Sequence, residues 1–94
     1  MLYVRLCFDK PGAGALRDLH RAEHRLYLRS SKTVKLIQGG PLCIGDHDDT
    51  NIASFMILEA GDISDVVDYH AHDPFTLAGI FDEIRIHRWD KHVG

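Results

Sequence analysis

The sequence predicts an α+β fold of the ferredoxin-like type, a sandwich in which two helices cover one face of a four-stranded antiparallel sheet. Three observations predict it. Four segments alternate apolar and polar residues or form short apolar runs, which is typical of strands, and two others carry apolar residues at helical spacing. These segments follow one another in the order β-α-β-β-α-β. In the usual form of this fold the strands lie in the order 4-1-3-2, so the first and third strands are central.

Length and composition indicate a small protein without an extended charged surface. The 94 residues are few enough for a single domain, and the charge of −3 comes with scattered basic residues, so we expect no nucleic-acid partner. No apolar run approaches the roughly 20 residues of a membrane span, so we expect no membrane contact. The N-terminal segment lacks the layout of a signal peptide, and there are only 2 cysteines. We therefore expect a cytoplasmic protein with reduced thiols.

The first strand is predicted from Leu2 to Phe8. Its even-numbered residues are all apolar and are expected to face the core. The odd-numbered residues then lie on the face away from the helices. There, Arg5 either pairs with Glu59 and Glu83 or holds an anionic substrate, because a buried charge needs a partner. Pairing is the favoured interpretation, and substrate binding by Arg5 is kept as the alternative.

A first helix is predicted from Ala15 to Ser31, because this segment has no helix breaker and is rich in good helix formers. Its apolar stripe, which is expected to pack on the sheet, consists of Leu16, Leu19 and Leu26. His20 and His24 are four residues apart, so they share one face of this helix.

Two strands joined by a hairpin follow. The second strand is predicted over Thr33–Ile44, and Pro41 within it indicates an edge strand because proline cannot donate a ladder hydrogen bond. A polar loop over Gly45–Asn51 leads to the third strand, Ile52–Glu59. This strand is apolar on both faces, yet the helices cover only one of them. A second subunit is the simplest cover for the other face, so the sequence predicts a homodimer.

The C-terminal part is predicted to hold the second helix, over Asp62–His72, and then a short helical turn. Asp73 is placed as the N-cap of this turn and Pro74 as its first residue, and the turn ends near Gly79. The last strand is predicted over Phe81–Trp89, with its isoleucines toward the core. The chain thus brings an aspartate to the start of a helical turn, about fifty residues after the two histidines of the first helix.

Four stretches carry a resemblance to a known family. They are Leu2-Tyr3-Val4, Arg21-Ala22-Glu23-His24, Gly39-Gly40-Pro41-Leu42, and Asp73-Pro74-Phe75 followed by Ala78-Gly79-Ile80-Phe81. In this order and spacing they resemble the YciI-like family, also called YCII-related domains, within the dimeric α/β-barrel superfamily. The resemblance implies a ferredoxin-like subunit, a dimer, and a site centred on a histidine and an aspartate. By position these are His24 and Asp73. Ser54 falls where many members have Gly-Ser at the start of the third strand, and we expect it to line the pocket, although the residue before it is Ala53 and not glycine.

His24 and Asp73 have the side chains that general acid–base catalysis requires. An imidazole titrates near pH 6.5, so it can take and return a proton, and a carboxylate on its second nitrogen fixes the tautomer. The alternative interpretation is architectural: His24 is a satisfied histidine at an interface, and Asp73 only caps the helical turn ahead of Pro74.

The segment His20–His24 also spells H-x-x-E-H, the inverted zinc-protease motif. That motif needs a distant third ligand and a large enclosing cleft, which a chain of this size has no room for. We therefore predict no metal site, and His20 is kept as a candidate substrate-binding residue beside His24.

The leading hypothesis is a small enzyme of the YciI-like type that transfers protons in an elimination or isomerisation of a small cyclic or enolisable metabolite. No cofactor is expected, because the sequence has no glycine-rich nucleotide fingerprint. The alternative is a non-catalytic dimeric domain that binds a small ligand or a protein partner. A third hypothesis, an oxygen-using monooxygenase of the same superfamily, requires a deep apolar pocket large enough for an aromatic substrate.

Overall fold

The structure is a computed structural model that describes residues 1–94, and its elements follow the predicted order. The strands are β1 (Leu2–Asp9), β2 (Val34–Gly45), β3 (Asp48–Ala60) and β4 (Phe81–Trp89), and the helices are α1 (Gly14–Ser30), α2 (Ile63–Ala71) and α3 (Pro74–Leu77). None of these helices has the length and apolarity that crossing a bilayer requires.

The strands form one antiparallel sheet in the order β2-β3-β1-β4. This is the predicted order seen from the other edge, so the ferredoxin-like prediction is confirmed. α1 and α2 lie side by side on one face, where the Tyr69 hydroxyl donates to the Leu28 carbonyl at 2.6 Å and the Tyr27 hydroxyl donates to the Tyr69 carbonyl at 2.9 Å. Side chains from the central strand β1 therefore lie directly beneath both helices.

The face of β1 beneath the helices is the opposite of the predicted one. Tyr3, Arg5 and Cys7 are buried there, whereas the even-numbered apolar residues are only half-buried on the open face. The expected pairing of Arg5 with Glu59 or Glu83 is wrong, because Arg5 is 1% exposed and contacts α2 and α3 instead. Period-two alternation shows which residues share a face but does not show which face the helices cover.

α1 also packs its polar side on the sheet. The leucine stripe expected to face the sheet is exposed, with relative accessibilities of 38% at Leu16, 73% at Leu19 and 72% at Leu26. The buried residues of α1 are Arg17, His24 and Leu28. An arginine and a histidine can replace leucines at this interface because each finds a charged partner beneath the helix.

The β2–β3 hairpin is longer than predicted. Most of the segment expected to be a loop is strand, and only Asp46-His47 forms the turn between the paired residues Gly45 and Asp48. Both faces of this end of the hairpin are exposed, so polar residues occupy strand positions there. β2 is an edge strand, as Pro41 predicts, and Pro41 lies opposite Ser54 of β3.

The short helix α3 sets the position of Asp73. Asp73 is its N-cap and Pro74 its first residue, as the sequence predicts, and the Asp73 side chain accepts a hydrogen bond from the Phe75 backbone N–H. Gly79 follows with φ of +74°, a conformation that favours glycine, and it turns the chain into β4. The N-cap at Asp73, the short helix α3 and the turn at Gly79 together hold Asp73 beneath α1.

Candidate active site

Asp73 is fully buried, and it joins α1, α3 and β1. Its Oδ1 lies 2.6 Å from Nδ1 of His24 and 2.9 Å from the Phe75 backbone nitrogen. Its Oδ2 lies 2.9 Å from Nη2 of Arg5, an ion pair whose angle falls outside hydrogen-bond geometry. Burial raises the pKa of Asp73, but the hydrogen bond from His24 and the charge of Arg5 lower it by more. The carboxylate is therefore ionised at neutral pH.

His24 is held in one orientation by two contacts. Its ring stacks on the Phe75 ring with centroids 3.7 Å apart and planes 2° from parallel. An ionised Asp73 can only accept, so Nδ1 of His24 carries the proton that it donates to Oδ1. In the neutral ring this leaves Nε2 as an acceptor, and Nε2 has no hydrogen-bond partner within the chain. A free, correctly oriented imidazole nitrogen is what a general base provides.

Arg5 contacts the carboxylate oxygen of Asp73 that His24 does not contact. Its guanidinium donates from Nε to Nδ1 of His70 at 2.9 Å and from Nη2 to Oγ1 of Thr76 at 3.4 Å. Nη1 lies 3.5 Å from the sulfur of Met56. With these contacts and the ion pair to Asp73, Arg5 is buried among partners and does not reach the cavity described below. Arg5 is therefore placed behind the candidate site, not at its surface as a substrate-binding residue.

His70 is the neutral end of this network. Burial first, and the nearby positive charge of Arg5 second, lower the pKa of His70 to about 4 although the charge of Asp73 opposes them. A neutral ring can accept the hydrogen bond from Arg5, whereas an imidazolium would repel it. The Cys7 sulfur lies 4.0 Å from Nδ1 of His70, and burial raises the pKa of the Cys7 thiol, so this cysteine is protonated.

Lowering the pH is expected to destabilise the fold through His70. The unfolded imidazole binds a proton near its ordinary pKa of 6.5, whereas the folded one does so only near 4. Between these values the unfolded state binds more protons, so the free energy of unfolding decreases as the pH falls, by up to about 3 kcal/mol in total. Below about pH 4 both states are protonated and His70 adds no further loss. Urea unfolding followed by circular dichroism across this window measures the slope.

His70→Gln and His72→Gln provide a matched comparison for this slope. Glutamine at position 70 can still accept from Arg5 but cannot titrate, so the pH dependence is expected to flatten. His72 is exposed, and its substitution leaves the slope as it is. Equal slopes in the wild type and His70→Gln would contradict the assignment.

A cavity of about 370 Å³ opens beside His24, between α1 and the β2–β3 strands. Its lining includes apolar side chains, several arginines of α1, Phe75, and Gly39 and Gly40 of β2. A Cβ on Gly39 would lie 3.1 Å from Leu36 and 3.3 Å from Met56, so a larger residue there would crowd the cavity wall. This volume suits a single small ring and is at the small end of ligand pockets.

Ser54 lies on the wall of this cavity and is held by Arg17. Nη2 of Arg17 donates to the Ser54 hydroxyl at 2.9 Å and to Oδ1 of Asp9 at 2.7 Å, while Nε donates to Oδ2 of Asp9 at 2.6 Å. The guanidinium carbon also lies 5.2 Å from the centre of the Phe75 ring. Nη1 of Arg17 has no partner within the chain, so it is available to an oxygen of a bound ligand.

His20, the remaining predicted site residue, lies away from the cavity. His20 is about one-third exposed, its Nδ1 lies 3.5 Å from Glu23, and it does not line the cavity. No three histidine, cysteine, aspartate or glutamate side chains converge as metal ligands would. Sequence reasoning missed Arg17 and Phe75 as parts of the site. Arg17 lies three residues before His20 and seven before His24, so helical spacing could have indicated it. Phe75 lies two residues after Asp73, a spacing that carries no such signal.

The comparisons with known proteins point to one family. Residues 1–90 match the family model described as YCII-related domain. The chain is similar to a solved structure of 5-chloro-2-hydroxyhydroquinone dehydrochlorinase (TftG) from Burkholderia phenoliruptrix AC1100, in complex with 2,5-dihydroxybenzoquinone. The two are 32% identical with a TM-score of 0.85, over 98% of this chain and 96% of that one. No curated protein sequence matches significantly.

A second solved structure shares the fold alone. PA3566 from Pseudomonas aeruginosa has a TM-score of 0.54 and 13% identity, over 98% of this chain and 93% of that one.

Proposed function

We propose a function on the premise that this chain belongs to the YCII-related domain family. The chain is an enzyme that transfers protons on a small ring-bearing or enolisable metabolite, in an elimination or an isomerisation. His24 acts as the general base and then as the general acid. Asp73 orients His24 and stabilises the imidazolium that forms when it takes a proton.

One observation carries this proposal: His24 lines the cavity while its Nδ1 is bonded to a buried, ionised carboxylate. A histidine that only packs at an interface would need neither a free second nitrogen nor a cavity beside it. The stacked Phe75 ring and the bond to Asp73 prevent rotation of the imidazole, so little orientation is lost when a substrate binds.

The similar structure of TftG supports a hydroxylated ring as the substrate class, because that protein is a dehydrochlorinase of a hydroxyhydroquinone. A chloride on an aromatic carbon cannot leave by simple elimination. A base must first take the proton of a ring hydroxyl, and an acid must deliver one to the carbon that bears chlorine. Loss of a second hydroxyl proton then expels chloride with the C–Cl electron pair and leaves a quinone, so HCl is lost and no oxidant is needed. One histidine that takes and returns a proton serves these steps.

The proposed function includes a homodimer, in which the open faces of two sheets pack together. The open face of the sheet carries half-buried apolar residues from the central strands, and no element of the chain covers them. They are Leu2, Val4, Leu6, Phe55 and Ile57. A second copy packed on this face would remove them from water.

Proton transfer can be tested with a ring that has no leaving group. Hydroxyhydroquinone is incubated with the wild-type chain in D₂O without oxygen, and the loss of its ring C–H signals is followed by proton NMR. We expect exchange well above the rate in buffer, because protonation of the ring carbon from His24 is reversible. Chloride release from 5-chloro-2-hydroxyhydroquinone is measured in parallel.

Serum albumin at equal concentration controls for exchange caused by a protein surface. Exchange without chloride release would indicate an isomerase. If the chain accelerates neither process, the catalytic proposal fails and the non-catalytic ligand-binding domain becomes the better interpretation.

A further inference from the structure

One edge of α1 is a row of arginines that lines the cavity. Four of the seven arginines of the chain lie there, spaced four residues apart: Arg17, Arg21, Arg25 and Arg29. No aspartate or glutamate is among the 14 residues that line the cavity. The cavity is therefore locally basic in a chain whose formal charge is −3.

Only the first half of this row is neutralised. Arg17 forms its bidentate pair with Asp9, and Nη1 of Arg21 lies 2.7 Å from Oδ1 of Asp18. Arg25 and Arg29 form no ion pair within the chain. Like charges four residues apart on a helix destabilise it. Two unpaired arginines in succession thus carry a cost that nothing within the chain offsets.

The cavity also has an apolar part. Leu28 of α1, Leu36 of β2, Met56 of β3 and Phe75 of α3 line it. A flat ring can bind against these side chains with its reacting atoms at His24. Its far edge then lies toward Arg25 and Arg29. Arg25 and Arg29 are four residues apart, about 6 Å along the helix axis, so their guanidinium groups can hold a carboxylate from two sides.

We propose that Arg25 and Arg29 form an anion subsite that binds a carboxylate on the ring of the substrate. The inference deepens the proposed function, on which it rests, by naming the substrate class as a hydroxylated aromatic acid. Arg17 and Ser54 contact the hydroxyl end, and the unpaired arginines contact the carboxylate end. Arginine suits this position because it stays charged at all accessible pH values and binds carboxylates in a forked geometry.

A pair of matched ligands tests the subsite by binding alone. 2,5-Dihydroxybenzoate and 2,5-dihydroxybenzamide have the same ring and nearly the same shape, but only the first is an anion. Isothermal titration calorimetry of the wild-type chain is expected to give a dissociation constant at least about tenfold lower for the benzoate, the factor of one charge-assisted hydrogen bond. In the double variant Arg25→Gln and Arg29→Gln, both ligands are expected to bind equally and weakly.

Arg88→Gln is the control, because Arg88 is exposed on β4, forms no ion pair and lies outside the cavity. It removes a positive charge without touching the subsite, so the preference for benzoate must persist. Equal affinity for the two ligands in the wild type, binding of neither, or an unchanged preference in the double variant would each overturn the subsite. Neither ligand has a leaving group, and the experiment measures binding only. A chain that binds benzoate through the subsite but does not catalyse proton transfer would therefore disprove the proposed function and leave the subsite intact.

Discussion

Replacing His24 by glutamine is expected to lower the turnover of a reactive ring substrate by about 10²- to 10⁴-fold, the usual contribution of a general acid–base residue. Glutamine is of similar size and can keep a hydrogen bond to Asp73, which accepts from His24 at 2.6 Å in the wild type. It cannot take a proton near neutral pH. The rate of ring deuteration and the rate of chloride release both measure the effect. The ligand affinity and the urea midpoint are expected to change little.

His20→Gln is the matched control for this result. It makes the same substitution one helical turn earlier on α1, at a side chain that lies outside the cavity. Wild-type rates in His20→Gln together with the loss in His24→Gln would assign the proton transfer to His24. If His24→Gln retained the wild-type rate, His24 would not be the base, and a loss of stability without a loss of rate would make it an architectural residue.

Replacing Arg5 by methionine is expected to lower the free energy of unfolding by about 3–5 kcal/mol, because it leaves a buried charge without its partner. Asp73 is fully buried and Arg5 is 1% exposed, so water cannot replace the lost guanidinium. A small domain has only about 5–15 kcal/mol of stability in total, so the loss is a large fraction of it. The charge of Arg5 also holds the pKa of Asp73 down, so that pKa should rise in the variant. Urea unfolding at neutral and acidic pH measures both effects.

A double-mutant cycle separates the pair from the rest of the network. Asp73→Asn removes the charge that Arg5 balances, so Arg5→Met should cost less in its presence than in the wild type. Arg88→Met makes the same substitution at an exposed position and should cost little. Additive losses from Arg5→Met and Asp73→Asn would mean that the two side chains are not energetically coupled.

The architecture was predictable from the sequence because it depends on periodicity and order. The strand order, the edge position of β2 and the cap formed by Asp73 ahead of Pro74 all follow from local rules of this kind. The direction in which β1 and α1 face was not predictable in the same way. Hydrophobicity placed the leucines of both elements inward, yet the structure buries Arg5, Arg17 and His24 instead.

This reversal has one physical cause. The interface between α1 and the sheet holds a set of paired charges, and each buried polar group is tolerable only because another element supplies its partner. A pattern within one segment carries no information about a partner in another. The closeness of His24 and Asp73 could be expected from the family resemblance, whereas the contacts of Arg5 and the role of Arg17 required the tertiary structure.

The separation of these partners along the chain has a consequence for how the protein is made. His24 and Asp73 are 49 residues apart, and Arg5 and His70 are 65 apart. The central strand β1 pairs with β3 and β4, and these are the last two strands to be synthesised. Contacts between such distant residues form only after large loops close, which slows folding. A chain still emerging from the ribosome therefore leaves Arg5 and His24 without these partners until α2 and α3 have been synthesised.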